Sequence, residues 1–351
     1  MSRNAGSMTL VGMAMTLLAL AAACSSGDDG RGAGAGGSGG RLGGASGAAG
    51  NSGAGGATGG GALATYKTCT DENRVGRFEL SLNNDAERPF SDIDGTVSDG
   101  PNPFAQSKIL ATIDGCVIKQ PPVATATCNP ACGIEQVCSA NGTCVRNPNA
   151  HDLGKVTVTG LKKPLELLKN SGSFRYSRPP DVPLDHPAFS EGADITLTAS
   201  GAGGYGPFVL KGLGISKLEA PKTKIAAEAG KPSTITWTAS SASAVSRVVL
   251  DFAVNRHGAV DTWLECEVPD TGSFALSAAL TTELFKHGVS GYPSVDITRL
   301  TSDTVSVPSG CVEFQVTALV NRELAVPGLV SCQGDKDCAA PKTCAEDLAC
   351  R

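Results

Sequence analysis

Thirteen cysteines are the residues of this sequence with the clearest chemical meaning. In an oxidising compartment cysteine thiols pair into disulfides, whereas a reducing cytosol keeps them free. An odd number leaves one sulfur outside any complete set of pairs. Cys24 lies at the end of an apolar N-terminal run, and assigning it to a separate modification leaves twelve cysteines that can all pair. The sequence therefore predicts export, disulfides throughout and a distinct reaction at Cys24.

The N-terminal segment ends in a pattern that makes Cys24 a candidate for acylation. After a short positive start, its apolar run is shorter than a membrane-spanning helix and leads into Ala21-Ala22-Ala23-Cys24. This pattern resembles the lipobox of bacterial lipoproteins, in which small residues precede a cysteine that is diacylated on sulfur and becomes the mature N-terminus. It departs from the lipobox at Ala21, where the family usually has leucine, and Ala21-x-Ala23 also fits ordinary signal cleavage. The resemblance implies a signal peptide over residues 1–23 and a lipid anchor at Cys24.

The residues that follow predict a flexible tether on a membrane. Residues 24–64 are nearly all Gly, Ala and Ser, and this composition cannot offset the entropy cost of folding. Such a coil has a reach of ~35 Å. The lipoprotein resemblance implies that Ser25, which follows the lipidated cysteine, does not mark retention in the inner membrane. The expected location is therefore the outer membrane, facing the periplasm or the cell surface. A net charge of −5 gives no electrostatic footprint for nucleic acid, so the expected partners are the membrane and a protein or glycan ligand.

Two groups of four cysteines, at residues 128–150 and 332–351, share two successive five-residue gaps. The groups are Cys128, Cys132, Cys138 and Cys144, and Cys332, Cys338, Cys344 and Cys350. Segments of about twenty residues have almost no hydrophobic core, so disulfides rather than zinc are expected to hold them. The C-terminal group resembles the Dickkopf-like and EGF-like cysteine-rich modules of bacterial surface lipoproteins. Four cysteines allow three connectivities, and the spacing does not choose among them.

Short runs of alternating apolar and polar residues predict a mainly β fold. Residues 65–127 predict a small β-region, and residues 151–331 predict many short strands separated by turn signals. Helical periodicity is confined to residues 165–168 and 278–285. We therefore predict an antiparallel β-sandwich, immunoglobulin-like or jelly-roll in topology, with a small N-terminal β-region and two disulfide-rich knots.

The four remaining cysteines predict one disulfide within each β-region. Cys69 and Cys116 bracket the small region, and pairing them would clasp a unit too small to be stable on its core alone. Cys266 and Cys311 are the only cysteines within residues 151–331, so they are expected to pair. On the chain-entropy model this second bond contributes ~4 kcal/mol.

Few other residues suggest binding chemistry. Asp92, Asp94 and Asp99 are clustered oxygen donors that would suit calcium, although Asp before Gly is also common in turns. Tyr205 is the candidate for ligand recognition, because loops on a rigid scaffold often carry function. Residues 201–206 match the pattern G-x-G-x-x-G but lead into another strand, so a loop is expected there rather than a dinucleotide site. The sequence offers no catalytic residue and no cofactor motif.

These observations favour a non-catalytic surface lipoprotein that serves as a binding or envelope-structural module. The four histidines are widely separated and none has metal-ligand spacing at helical positions. The alternative is a lipid-anchored hydrolase with a metal or carboxylate site on the sandwich loops. That alternative requires histidines and acids to gather in one concave pocket.

Overall fold

The fold is described from a computed structural model, which describes residues 63, 65–84, 88–103, 107–120, 128–139, 142–242, 244–255 and 261–351. The predictions for Cys24, for the signal peptide and for all of the tether except residue 63 lie outside these residues. Within them, no helix is long and apolar enough to cross a bilayer.

Nineteen strands and one helix make up the described part of the chain. The strands are β1 (Arg74–Asn83), β2 (Phe90–Val97), β3 (Lys108–Ile113), β4 (Cys116–Gln120), β5 (Gln136–Cys138), β6 (Cys144–Arg146), β7 (Val156–Thr159), β8 (Leu165–Glu166), β9 (Leu168–Lys169), β10 (Tyr176–Ser177), β11 (Asp194–Ala199), β12 (Phe208–Leu213), β13 (Ile225–Ala226), β14 (Ser233–Thr236), β15 (Arg247–Ala253), β16 (Trp263–Pro269), β17 (Ser273–Leu276), β18 (Ser294–Val307) and β19 (Gly310–Ala325). The helix is α1 (Ala278–Phe285), and a 3₁₀ turn spans Asp335–Asp337. The mainly β prediction is confirmed.

An 11-stranded mixed sheet dominates the fold. Its strands lie in the order β3, β4, β16, β15, β18, β19, β1, β2, β10 and β9, and β13 also pairs with β19. β1 and β13 run parallel to β19, whereas the other neighbouring pairs are antiparallel. The sheet is therefore not wholly antiparallel. Residues 65–127 also do not form a sheet of their own, because β1 to β4 are built into this one.

A second layer covers one face of the large sheet. It contains the four-stranded sheet β12-β11-β7-β8, the antiparallel pair of β14 and β17, and α1. Alternation along the strands supplies one continuous core, in which Phe78, Leu80, Phe314 and Val316 of the large sheet are fully buried. The layers approach closely at Gly212, where a Cβ atom would lie 2.7 Å from the Val316 side chain. Burial of this alternating face is what fixes the strand register.

The disulfides of the β-structure differ from the two that we predicted. Cys69 is bonded to Cys311 and Cys116 to Cys266, so the predicted pairs Cys69–Cys116 and Cys266–Cys311 are wrong. The topology gives the reason. Because β1 runs parallel to β19, the starts of the two strands lie together, and this brings Cys69 to Cys311. Cys116 and Cys266 are direct partners in the β4–β16 pair.

The two cysteine-rich modules share one connectivity. In each module the first cysteine pairs with the third and the second with the fourth. The bonds are Cys128–Cys138, Cys132–Cys144, Cys332–Cys344 and Cys338–Cys350. The pairing within each group and the internal repeat are as predicted, and the structure selects one of the three connectivities that the spacing left open.

The helical predictions are half right. Residues 278–285 form α1, whose first turn is capped by Ser277, since its hydroxyl accepts the Leu280 amide hydrogen. Residues 165–168 instead contribute to β8 and β9, where Leu165 is buried in the core as part of the second layer and Leu168 is exposed. A run of four residues has too few positions to distinguish the helical period of 3.6 residues from the strand period of two.

The segment before β1 lies against the polar face of the large sheet, opposite the second layer. The Tyr66 hydroxyl donates to Glu267 over 3.2 Å, and the Lys67 amide donates to the Ser302 carbonyl on β18. The Arg247 guanidinium stacks over the Tyr66 ring. Burial raises the pKa of both the Tyr66 phenol and the Glu267 carboxyl. The chain therefore enters the folded part along the sheet and reaches Cys69 there.

Candidate functional site

A cleft of about 230 Å³ lies where the first cysteine-rich module meets the large sheet. We call it the junction cleft. Its polar lining comes from the start of β1, the end of β2 with the loop that follows, and the chain that leaves the module: Arg74, Thr96, Ser98, Asn102 and Asn147. The lining is more polar than the molecule's core, so the cleft is a candidate site for a polar ligand.

Backbone hydrogen bonds fix the walls of the junction cleft. The Ser98 amide donates to the Val75 carbonyl over 2.7 Å, which extends the β1–β2 pairing past the end of β2. Ser98 also forms a β-bridge with Ala150, and the Asp99 amide donates to the Asn149 carbonyl. The segment that leaves the module, at residues 149–150, is thereby held beside the end of β2. These hydrogen bonds connect the two walls of the cleft.

Asp99 supports one wall of the junction cleft. Its carboxylate accepts the Asn149 amide at 2.8 Å and the Arg146 guanidinium at 2.5 Å. Although desolvation acts in the opposite direction, these two donors hold the pKa of the Asp99 carboxyl below its usual range. Asp99 therefore ties the module to the sheet as an ionised carboxylate.

Tyr205 supports the cleft from behind instead of presenting itself to a ligand. Its hydroxyl donates to the Ser98 carbonyl over 2.8 Å and lies 2.6 Å from the Ser309 hydroxyl. Its ring packs against His151, with the ring centroids 4.8 Å apart. The loop prediction for residues 201–206 is confirmed, since they join the antiparallel strands β11 and β12. The structure thus brings Asp99 and Tyr205 together on either side of Ser98.

A row of polar side chains crosses three strands beside the cleft. Thr96, Arg77 and Glu313 are successive register partners on β2, β1 and β19. The Glu313 carboxylate is fully buried and accepts Nε of Arg74 at 3.0 Å and Nε of Arg77 at 3.2 Å. Two buried atoms of the row have no hydrogen-bond partner, the Thr96 hydroxyl oxygen and Nη2 of Arg77. Such groups are costly unless something pairs with them.

The three candidate calcium ligands do not converge. Asp92 and Asp94 lie on β2, where they pair with Arg178 and Arg175, whereas Asp99 lies beyond the end of the strand. Each carboxylate therefore has its own guanidinium partner, and no shared cage of oxygens results.

Two cysteine triplets in the described part of the chain have sulfur atoms close enough to surround a metal ion. They are Cys128, Cys132 and Cys138, and Cys332, Cys338 and Cys350. All six sulfurs are in disulfide bonds. A metal site of this type requires thiolates, so these clusters are structural.

The described histidines lie in three separate places. His151 is 3.8 Å from Asp99, and His287 is 3.9 Å from Glu283 on α1. His186 lies between Ser91 and Asn84. The gathering of histidines and acids that the hydrolase alternative requires is not formed by these three residues, and His257 lies outside the residues that the structure describes.

Sequence reasoning missed Arg74, Arg77 and Thr96. All three sit in ordinary strand-like sequence, where an outward polar residue normally faces water. Only the register across β2, β1 and β19 shows that Arg77 and Thr96 share a polar row with Glu313, with which Arg74 also pairs. Comparison with protein-family models finds no match, and comparison with curated proteins finds none either.

Proposed function

We propose that this chain is an exported lipoprotein, anchored through Cys24, that binds a polar ligand in the junction cleft. The observation that carries export and anchoring is the use of the cysteines. Six disulfides take up twelve of the thirteen, and the remaining one is Cys24. Complete pairing is typical of oxidising compartments, and it leaves only this sulfur for a lipid. The outer membrane, facing the periplasm or the cell surface, is the location that we propose.

Replacing Cys24 with alanine is expected to release the protein from membranes. More than one fatty chain gives lasting attachment, because each buried CH₂ contributes ~0.8 kcal/mol. Detergent phase partition should place the parent chain in the detergent phase and the C24A variant in the aqueous phase. Intact mass spectrometry should show the added acyl mass only on the parent, and Ser25→Ala is the matched control that keeps the lipid. A parent chain without acyl mass would contradict the anchor.

For the ligand, we propose a glycan that places one sugar ring in the junction cleft. A volume of about 230 Å³ is close to the size of a single sugar ring, and the lining offers hydroxyl, amide and guanidinium groups. The Thr96 hydroxyl belongs to this lining and is a buried polar group that lacks a partner, so a ligand hydroxyl could pair with it. A protein ligand would instead use a larger surface.

Replacing Thr96 with valine is expected to weaken glycan binding about threefold to tenfold while leaving stability unchanged or slightly higher. Valine has nearly the same shape, and it removes a hydroxyl that has no partner in the free protein. The test is a glycan array with the full chain carrying C24A, followed by calorimetric titration of the glycans retained. Thr157→Val, on half-buried β7, is the matched control. Retention of no glycan, or equal affinity for parent and T96V, would refute this site.

A further inference from the structure

A second cavity, of about 330 Å³, lies near the end of β1 and has a different chemical character. We call it the His186 pocket. Asn84, His186, Lys217, Glu219, Lys222 and Arg322 supply its polar lining. It shares no residue with the junction cleft, so nothing about it depends on the function proposed above.

Among the lining residues of the His186 pocket that the structure describes, cations outnumber acids. Lys217 and Lys222 are exposed and form no salt bridge with any residue that the structure describes, and Glu219 is the one carboxylate of the described lining. Arg322 contributes a further guanidinium, which donates to the Ala220 and Pro221 carbonyls and so fixes the segment that carries the two lysines. Lysines without carboxylate partners leave their positive charge available to a ligand.

The floor of the pocket holds a buried donor without a partner. Oδ1 of Asn84 lies 3.0 Å from Nε2 of His186, and Nδ1 of His186 lies 3.1 Å from the Ser91 hydroxyl. Because the Asn84 carbonyl oxygen is an acceptor, Nε2 carries the ring hydrogen. Nδ2 of Asn84 is buried and has no hydrogen-bond partner. An acceptor from a ligand would satisfy this donor.

The surroundings of His186 favour the neutral form of its ring. Burial, and then the positive charges of Lys217 and Lys162, lower the pKa of its imidazole. An anion placed beside Lys217 would oppose that effect, so the imidazole signal can report what binds there.

We propose that the His186 pocket binds an oxyanion, either a carboxylate or a phosphate group, between Lys217 and Lys222 with Nδ2 of Asn84 as an additional donor. Lysine recognises both groups as a point charge, so the residues alone do not separate them. Carboxylate would come from an acidic sugar and phosphate from a phosphorylated glycan or lipid headgroup. The two sources are separated by experiment.

The test is a nuclear magnetic resonance titration of the His186 ring in the full chain carrying C24A, with His186→Gln to assign the signal. Sodium phosphate and sodium glucuronate are the two anionic probes, glucose is the uncharged control, and ionic strength is held constant. We expect a saturable shift with at least one anion, none with glucose, and a higher imidazole pKa in the bound form. The anion that saturates at lower concentration identifies the source.

The double variant K217A/K222A is expected to weaken that binding about tenfold or more, since charge-assisted contacts are the strong ones. Lys342→Ala, an exposed lysine in the C-terminal module, is the matched control and should titrate like the parent. The proposal is overturned if neither anion gives a saturable shift, or if K217A/K222A binds as tightly as the parent.

Discussion

Replacing Arg299 with methionine is expected to lower the free energy of unfolding by about 3–5 kcal/mol. Arg299 and Asp270 are both fully buried, and Nε of Arg299 lies 2.6 Å from Oδ2 of Asp270. Removing the guanidinium leaves the Asp270 carboxylate in the core with only neutral donors, Trp237 at 2.8 Å and Ser246 at 2.9 Å. An uncompensated buried charge is among the most destabilising changes that one substitution can make.

The loss has a second source, because Arg299 also joins the two layers. From β18 its guanidinium donates to the Ser216 hydroxyl at 2.9 Å and to the Thr238 carbonyl, both outside the large sheet. Methionine satisfies neither acceptor. Each unpaired buried acceptor adds its own desolvation cost.

Urea denaturation followed by circular dichroism measures this effect. The matched control is Lys224→Met, which breaks the exposed pair with Glu323 and should cost at most about 1 kcal/mol. The double variant R299M/D270N should lose less than R299M alone, since no charge is left unpaired. An R299M variant no less stable than K224M would contradict a large contribution of the buried pair to stability.

The second large effect concerns the Cys69–Cys311 disulfide. The variant C69A/C311A is expected to lose about 4–5 kcal/mol of unfolding free energy. The Cys69–Cys311 bond spans 242 residues and encloses the Cys116–Cys266 bond, which spans 150. While the inner bond is intact, the outer bond therefore constrains a loop of roughly 90 further residues in the unfolded chain. A long loop makes this constraint large.

Denaturant unfolding under non-reducing conditions, with the other five disulfides intact, tests this value. The control C332A/C344A opens a bond that spans 12 residues in the C-terminal module and should cost less, about 3 kcal/mol at most. An equal or larger loss in the control would show that loop length does not govern the stabilisation.

Local sequence patterns predicted many of the strands and the helix. They did not predict which distant strands and cysteines pair. Alternation identified the strands, and the periodicity of residues 278–285 identified α1. Both β-structure disulfides were assigned to cysteines near in sequence, although Cys69 meets a partner that lies 242 residues away. The parallel contact of β1 with β19 decides that pairing, and no local signal records which distant strands become neighbours.

The candidate sites illustrate the same limit. The sequence makes Asp99 a candidate calcium ligand and Tyr205 the candidate for ligand recognition, whereas in the structure both residues support the junction cleft. Thr96 and Arg77 gained their significance from burial beside one another. The sequence does not single out His186, because Lys217 and Asn84, its neighbours in space, are distant in sequence.

The bond between Cys69 and Cys311 also determines how mechanical tension enters the molecule. Cys69 precedes β1, so a pull from the N-terminal side reaches the bond before it reaches that strand. The load then passes to β19, which β18 and β1 hold on opposite edges. Force applied to the N-terminus is thus distributed over the middle of the sheet, and it does not separate β1 and β2 from β19.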